Sequence, residues 1–282
     1  MNLLQAIILG AIQGLTEFIP ISSSAHLLIV RWLFGLSSEG LVFDAALHLG
    51  TLLALVLYFG PEWSGMIKSY LATTRFASKA PADRVKAQAQ GILLWPVVFA
   101  CVPAGIAGML LQDTVENSFR DKPLLTGLTL AGLGALLYVA DRVGKKSRPL
   151  NTVRMSDWLV IGLAQALALV PGVSRSGITI TAGLFCGLER EAAARFSFLL
   201  GAPIILGAGL YELAKASSRG MTRADLLPMI VGVITSTLVG YLCISFLIGY
   251  LKKHSMNIFV AYRLVLGAGV ILLFVLGYLK PT

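Results

Sequence analysis

Six stretches of this chain, residues 41–59, 91–111, 124–140, 196–213, 226–251 and 258–279, are continuous apolar runs of membrane-crossing length. In lipid every backbone N–H and C=O must find its partner within the segment or its bundle, so apolar runs of this length are transmembrane helices. Composition agrees. Of 282 residues, 56% are hydrophobic and 13% charged, where a soluble domain carries roughly 25% charged residues. The expected fold class is an all-α integral membrane protein, a polytopic helical bundle. The net charge of +9, from 23 basic and 14 acidic residues, reads as topology, because Lys and Arg hold loops on the cytoplasmic side. No nucleic-acid partner is expected, since that would need a basic face on a soluble fold. Cys101, Cys186 and Cys243 lie singly in apolar runs and read as small packing residues, without disulfide or metal spacing. The start of the chain has no basic stretch or cleavage site, so no removable signal peptide is expected.

Two other apolar regions are broken. Residues 3–19 contain Gln5, Gln13 and Glu17 and stop at Pro20, and a second piece follows at about 25–36. Residues 159–170 and 178–188 flank Pro171-Gly172-Val173-Ser174-Arg175-Ser176-Gly177 in the same way. Each half is shorter than the roughly 20 residues of a span, so each region reads as a re-entrant helical hairpin. Basic residues place 61–90, 141–157 and 252–257 inside and 112–122 outside. The segment 214–225, with Lys215, Arg219 and Arg223, fits that topology least. Shifting the chain by 151 residues puts Pro20 on Pro171, Ser23 on Ser174 and Gly50 on Gly201. Each half then holds one hairpin plus three spans, and the odd number inverts the second half relative to the first. The expected organisation is a single membrane domain over 1–282, with repeat 1 at about 1–140, a cytoplasmic loop at 141–157 and repeat 2 at about 158–282.

Chemistry concentrates at the breaks. Gln13 and Glu17 are four apart and share a helix face. Pro20 ends that helix, Ser22 or Ser23 can cap the next, and Ser24 and His26 follow within about a turn. A carboxylate and an arginine are expensive in lipid and are retained there for a partner. Arg175, flanked by Ser174, Ser176, Gly177 and Thr179, has the makings of a phosphate cradle at a helix N-terminus. Asp44 and His48, an i, i+4 pair, are expected to bond each other or the backbone, with a supporting role at the site or a metal pair as the alternatives. Arg263, after Tyr262, is expected to snorkel to the interface, with a role at the site as the alternative. Trp32, Trp63, Trp95 and Trp158 read as interface anchors. Glycines such as Gly127, Gly132, Gly134, Gly201, Gly207 and Gly209 read as close-packing positions.

At these two blocks the chain resembles the undecaprenyl-diphosphatase family of bacterial membrane phosphatases linked to bacitracin resistance. Glu/Gln-x-x-x-Glu followed by Pro-x-Ser-Ser-x-x-His is matched by Gln13, Glu17, Pro20, Ser22, Ser23 and His26. Pro-Gly-x-Ser-Arg-Ser-Gly is matched without gaps by Pro171 to Gly177, with Thr179 after it. Gln13 stands where many members have a second Glu, which argues against a mechanism needing two carboxylates, and Ala25 stands where Gly often precedes the His. The resemblance implies hydrolysis of undecaprenyl diphosphate to the monophosphate, recycling a carrier lipid for peptidoglycan. It also implies a divalent cation, Mg2+ or Ca2+, and a site in the bacterial inner membrane open to the periplasmic face. On that reading Arg175 clamps the diphosphate with Ser22, Ser24, Ser174, Ser176, Gly177 and Thr179. Glu17 binds metal or acts as base, Gln13 is a neutral metal ligand and His26 is the general acid/base. Ser23 is the nucleophile if a phosphoenzyme forms, and water activated by Glu17 is the rival. The partners expected are a polyprenyl diphosphate and the bilayer, with a second copy in a homodimer as a further option. A polyprenyl-phosphate transporter is the alternative function, because inverted repeats with broken hairpins are also a transporter plan.

Overall fold

The computed structural model describes residues 2–34, 41–75, 93–119, 122–217 and 223–279. Among them are ten α-helices and no strand: α1 (Leu3–Phe18), α2 (Ser23–Phe34), α3 (Leu41–Arg75), α4 (Leu94–Phe119), α5 (Pro123–Val143), α6 (Met155–Ala166), α7 (Arg175–Phe185), α8 (Arg190–Ser217), α9 (Arg223–Leu251) and α10 (Asn257–Val275). Six of these, α3, α4, α5, α8, α9 and α10, contain stretches long and apolar enough to cross a membrane, and the protein is a multi-pass membrane protein. The other four pair off around a break, α1 with α2 and α6 with α7. At 1.5 Å per residue the longest of them, α1 with 16 residues, reaches about 24 Å, less than a hydrocarbon core of about 30 Å.

The breaks fall where the prolines put them. Ile19, before Pro20, is already extended at φ −63° and ψ 136° and closes α1, as steric conflict with a following proline ring requires. Pro171 follows a single 3-10 turn, Leu167–Leu169, that runs on from α6. Elsewhere the helices outrun the apolar runs. α3 passes through Pro61 to Arg75, although 61–90 reads as a loop. Met66 and Ser69 are buried on those added turns, and Glu62 pairs with Arg195 of α8 at 3.2 Å, so tertiary packing extends the helix past the proline. α4 likewise covers most of 112–122. The basic positions Lys79, Arg84, Lys86 and Arg219 lie outside the described residues.

Small residues set the helix spacing. A Cβ at Gly14 of α1 would stand 2.7 Å from the Ser236 carbonyl of α9, and one at Gly127 of α5 would stand 3.0 Å from the Gly267 carbonyl of α10. These are backbone-to-backbone approaches that a side chain would block. Gly132 and Gly207 meet nothing within 4 Å, so not every glycine in these runs serves packing.

The segment between α5 and α6 is folded onto the bundle. Arg148 makes a two-pronged bond to Asp157, 3.1 and 2.6 Å, and the Arg154 N–H donates to the same carboxylate at 2.7 Å. Burial alone would raise the Asp157 pKa, and these donors outweigh it, holding the group below its ordinary value of 3.8. A carboxyl lowered on folding contributes stability that is complete above its unfolded pKa and is lost as pH falls through the folded one. Asp157→Asn should therefore lower the melting temperature at neutral pH by about 2–6 °C. The gap to wild type should close as pH falls below 3.8, a trend that a melting series across pH checks.

Candidate active site

The two breaks have the same local geometry. Ser22 sits at φ +75° and Ser174 at φ +71°; with Lys146 they are the non-glycine residues at positive φ among the described residues. That conformation costs of order 1–3 kcal/mol and has to be held by its surroundings. The Ser174 hydroxyl accepts from the Gly177 N–H at 3.1 Å, and the Ser22 hydroxyl accepts from the Ala25 N–H at 3.4 Å. Ser22 Oγ and Ser24 Oγ are 3.2 Å apart, as are Ser174 Oγ and Ser176 Oγ. The equivalence therefore pairs Ser22, not Ser23, with Ser174, an offset of 152 (174 − 22). The 151-residue shift holds at the prolines, and one more residue separates Pro171 from its capping serine. Ser23 is the first residue of α2 and Arg175 the first residue of α7.

The two helix starts meet at Glu17. Ser176 donates to the Glu17 carbonyl at 3.1 Å and ties α7 to the end of α1. The Glu17 side chain, 6% exposed, accepts from Arg175 Nη2 at 3.1 Å, from Ser23 Oγ at 2.7 Å and from Gln13 Nε2 at 3.2 Å. Arg175 is held from behind by the Ser197 carbonyl at 3.0 Å. Gly201 of α8 leaves the space its guanidinium fills, since a Cβ there would collide with Nη1 and Cζ. Gly201 thus makes room for the site rather than for a neighbouring helix.

Glu17, Ser23, Ser24, Ser174 and Arg175 line one cavity of about 360 Å³. Ser22, Ser176, Gly177 and Thr179 do not line it; they build its walls. Ser22 and Ser176 are buried, the Gly177 N–H is spent on Ser174, and Thr179 bonds Ser197 Oγ at 2.7 Å. His26 also lies off the cavity. Its Nδ1 is 2.7 Å from the Ser22 carbonyl and its Nε2 2.7 Å from the Tyr262 hydroxyl, and its ring stacks on Tyr262 at 5.6 Å. A carbonyl only accepts, so Nδ1 carries a proton.

The imidazole that does reach the cavity is His48, with Nε2 3.7 Å from Glu17 Oε2. Its Nδ1 donates to the Asp44 carbonyl at 2.8 Å, while the Asp44 carboxylate pairs with Arg31. Asp44 and His48 are thus bonded through backbone, as their spacing suggests, and both line the site. Gln165 of α6 was not singled out by sequence. It is 2% exposed and lines the cavity, and among the described residues its amide has no oxygen or nitrogen hydrogen-bond partner, with the Cys101 thiol beside it. The available signal was one glutamine in an apolar run six residues before Pro171. Arg263 is a correction: it is 1% exposed and turned into the bundle, because main-chain carbonyls there supply the acceptors that water would supply at the interface.

Chemically, the site offers a hydroxyl bonded to a buried carboxylate, a guanidinium across the same carboxylate, and the N-terminal ends of two helices. The ends of α2 and α7 favour negative charge. The fold and site define a polytopic membrane protein with a polar cavity where two broken helix pairs meet. The chain belongs to the BacA family: the family described as "Bacitracin resistance protein BacA" matches residues 6–269. The chain is similar to the "Undecaprenyl-diphosphatase" of Desulforudis audaxviator (strain MP104C), 47% identical over 273 residues, covering 97% of this chain and 98% of that protein. The protein of the same name from Geobacter metallireducens (strain ATCC 53774 / DSM 7210 / GS-15) is 45% identical over 272 residues, covering 96% of this chain and 98% of that one. The one from Pelobacter propionicus (strain DSM 2379 / NBRC 103807 / OttBd1) is 46% identical over 278 residues, covering 98% and 99%.

Proposed function

We propose that this protein hydrolyses undecaprenyl diphosphate to undecaprenyl phosphate and inorganic phosphate, recycling the carrier lipid and conferring bacitracin resistance. The observation that carries the reading is the Ser23–Glu17–Arg175 contact. Arg175 and the ends of α2 and α7 hold the diphosphate, with Ser24 and Ser174 beside it. Ser23 Oγ attacks the terminal phosphorus as Glu17 takes its proton. The bond from that phosphorus to the bridging oxygen breaks, and the lipid monophosphate leaves carrying the proton from Glu17, which is a carboxylate again. Water then attacks the phosphoserine with Glu17 as base, regenerating Ser23 and releasing phosphate. Charge on the transferred group is stabilised by the guanidinium and the helix ends. His26 orients Ser22, and through it the start of α2, from outside the cavity.

The resemblance also implies magnesium or calcium, and the donors fit such an ion. Among the described residues no cluster of three His, Cys, Asp or Glu is found, but Gln13 presents a buried Oε1 without a partner beside Glu17. One carboxylate, one amide oxygen and the substrate's own phosphate oxygens are a hard-oxygen set of the kind Mg2+ or Ca2+ takes. When bound, the ion would neutralise diphosphate charge. Glu17 and Gln13 are the residues proposed to hold it.

Apart from Gln112 the remaining lining is apolar, with Ala104, Ala168, Ile204, Ile205 and Ala208 among it. It receives the first isoprene units, and the tail leaves between α4 and α8. The shared geometry of Ser22 and Ser174 supports two inverted repeats, with both helix pairs re-entrant and the site open to the periplasmic side of the inner membrane.

The test is phosphate release from a long-chain prenyl diphosphate by purified protein in detergent, with Mg2+ or Ca2+ and with chelator. Cation-dependent release is expected. Movement of labelled lipid phosphate across vesicles without release would put the transporter reading first. Gln165→Leu should raise KM about 3- to 10-fold, the worth of one hydrogen bond, with little change in kcat. A steady-state titration of the lipid substrate checks it.

A further inference from the structure

We infer that Arg263, assisted by Tyr262, is a positioning residue for this reaction: it fixes the two broken helix pairs to each other and so sets the distance between Ser23–Glu17 and Arg175. The inference rests on the site proposed above. Arg263 lies on the second turn of α10, the largest side chain among those fully buried. All its recorded hydrogen bonds end on main-chain carbonyls. Nη1 donates to Pro20 at 3.1 Å, at the break between α1 and α2. Nη2 donates to Gly172 at 2.9 Å and Val173 at 3.2 Å, at the break before α7. Nε donates to Leu130 of α5 at 3.1 Å. One rigid, planar, five-donor group therefore joins both breaks to one scaffold helix, a geometry a lysine ammonium cannot reproduce.

The surroundings are cut to fit it. A Cβ at Gly134 would stand 3.0 Å from Arg263 Cβ, and one at Gly177 3.2 Å from Nη1. Gly177, the last residue of the Pro171–Gly177 motif, thus makes room for the arginine behind the site. The adjacent Tyr262 works on the same region: its hydroxyl meets His26, whose other nitrogen donates to the Ser22 carbonyl. α10 therefore grips Pro20, Ser22, Gly172 and Val173, the residues that set the direction of α2 and α7. Nothing in this set lines the cavity, so its effect on catalysis is through alignment.

The experiment compares wild type, Arg263→Met, Arg263→Lys and Tyr262→Phe by kcat, KM and melting temperature, with phosphate release from a long-chain prenyl diphosphate. Misplacement of reacting groups by about 1 Å costs on the order of 100-fold. Arg263→Met should lose about that factor in kcat, with KM within about 3-fold. Arg263→Lys should recover only part of the loss, although it keeps the charge. Tyr262→Phe, the mildest change, should lower kcat about 3- to 10-fold, the worth of one hydrogen bond, at unchanged melting temperature. If Arg263→Met does not fold, the other two variants decide the matter. Wild-type kcat in folded Arg263→Lys and Tyr262→Phe, or a change in KM or melting temperature alone, overturns the inference. Absence of release from wild type would instead count against the proposed function.

Discussion

Arg175→Ala should abolish phosphate release, lowering kcat by about 10³-fold or more. An arginine that stabilises a transferring phosphoryl group is worth 10³ to 10⁵ in rate. Arg175 is the guanidinium lining the cavity, and its Nη2 is 3.1 Å from Glu17. The substitution has a second consequence, because it leaves a buried carboxylate without its counter-charge. Removing one member of a buried pair destabilises by about 3–5 kcal/mol, so part of the loss could be structural. Arg175→Lys separates the two effects. It keeps a positive charge near Glu17 and restores most of the melting temperature. It loses the fork that spans Glu17 and Ser197, so kcat should stay at least about 10-fold below wild type. Melting curves and initial rates on the same preparations check both statements.

Glu17→Gln is expected to have the next largest effect, lowering kcat by about 10² to 10⁴-fold, the range for a positioned general base. The shape is kept and the amide oxygen still accepts from Ser23 and Arg175, but the guanidinium loses its counter-charge, so a lower melting temperature is expected here as in Arg175→Ala. The pull on the Ser23 proton is lost. Ser23→Ala should be about as damaging, and the double variant little worse than either, because the hydroxyl and carboxylate at 2.7 Å act as one unit. If Ser23→Ala retained most of the activity lost in Glu17→Gln, direct attack by water would replace the phosphoserine route.

Much of this was legible in sequence because the membrane makes burial expensive for polar groups. Glu17 and Arg175 stand out in apolar surroundings, and Pro20 and Pro171 mark the breaks that aim them. What the sequence concealed is direction. Three residues after the start of α2, His26 looks as though it shares a face with the serines, yet its ring turns to Ser22 and Tyr262. The imidazole at Glu17 comes from His48, whose approach depends on how α3 crosses α1, a tertiary fact with no local signature. Arg263 was misread for a similar reason. An arginine near a helix end snorkels when water is the nearest acceptor, and only the fold shows that Pro20 and Gly172 carbonyls are nearer. The likeness of the two breaks was visible through their prolines, but the 151-residue shift that aligns Pro20 with Pro171 misses the serines of matching backbone, Ser22 and Ser174, by one residue. A nucleophile candidate, Ser23, and a phosphate clamp, Arg175, each open the helix after a break.

The most direct measurement is a structure of the Ser23→Ala protein with a long-chain prenyl diphosphate bound. The diphosphate should lie against Arg175 and the first turns of α2 and α7, its terminal phosphorus facing position 23 and its tail running between α4 and α8. Diphosphate density bound elsewhere, with the Glu17–Arg175 cavity empty, would contradict the account.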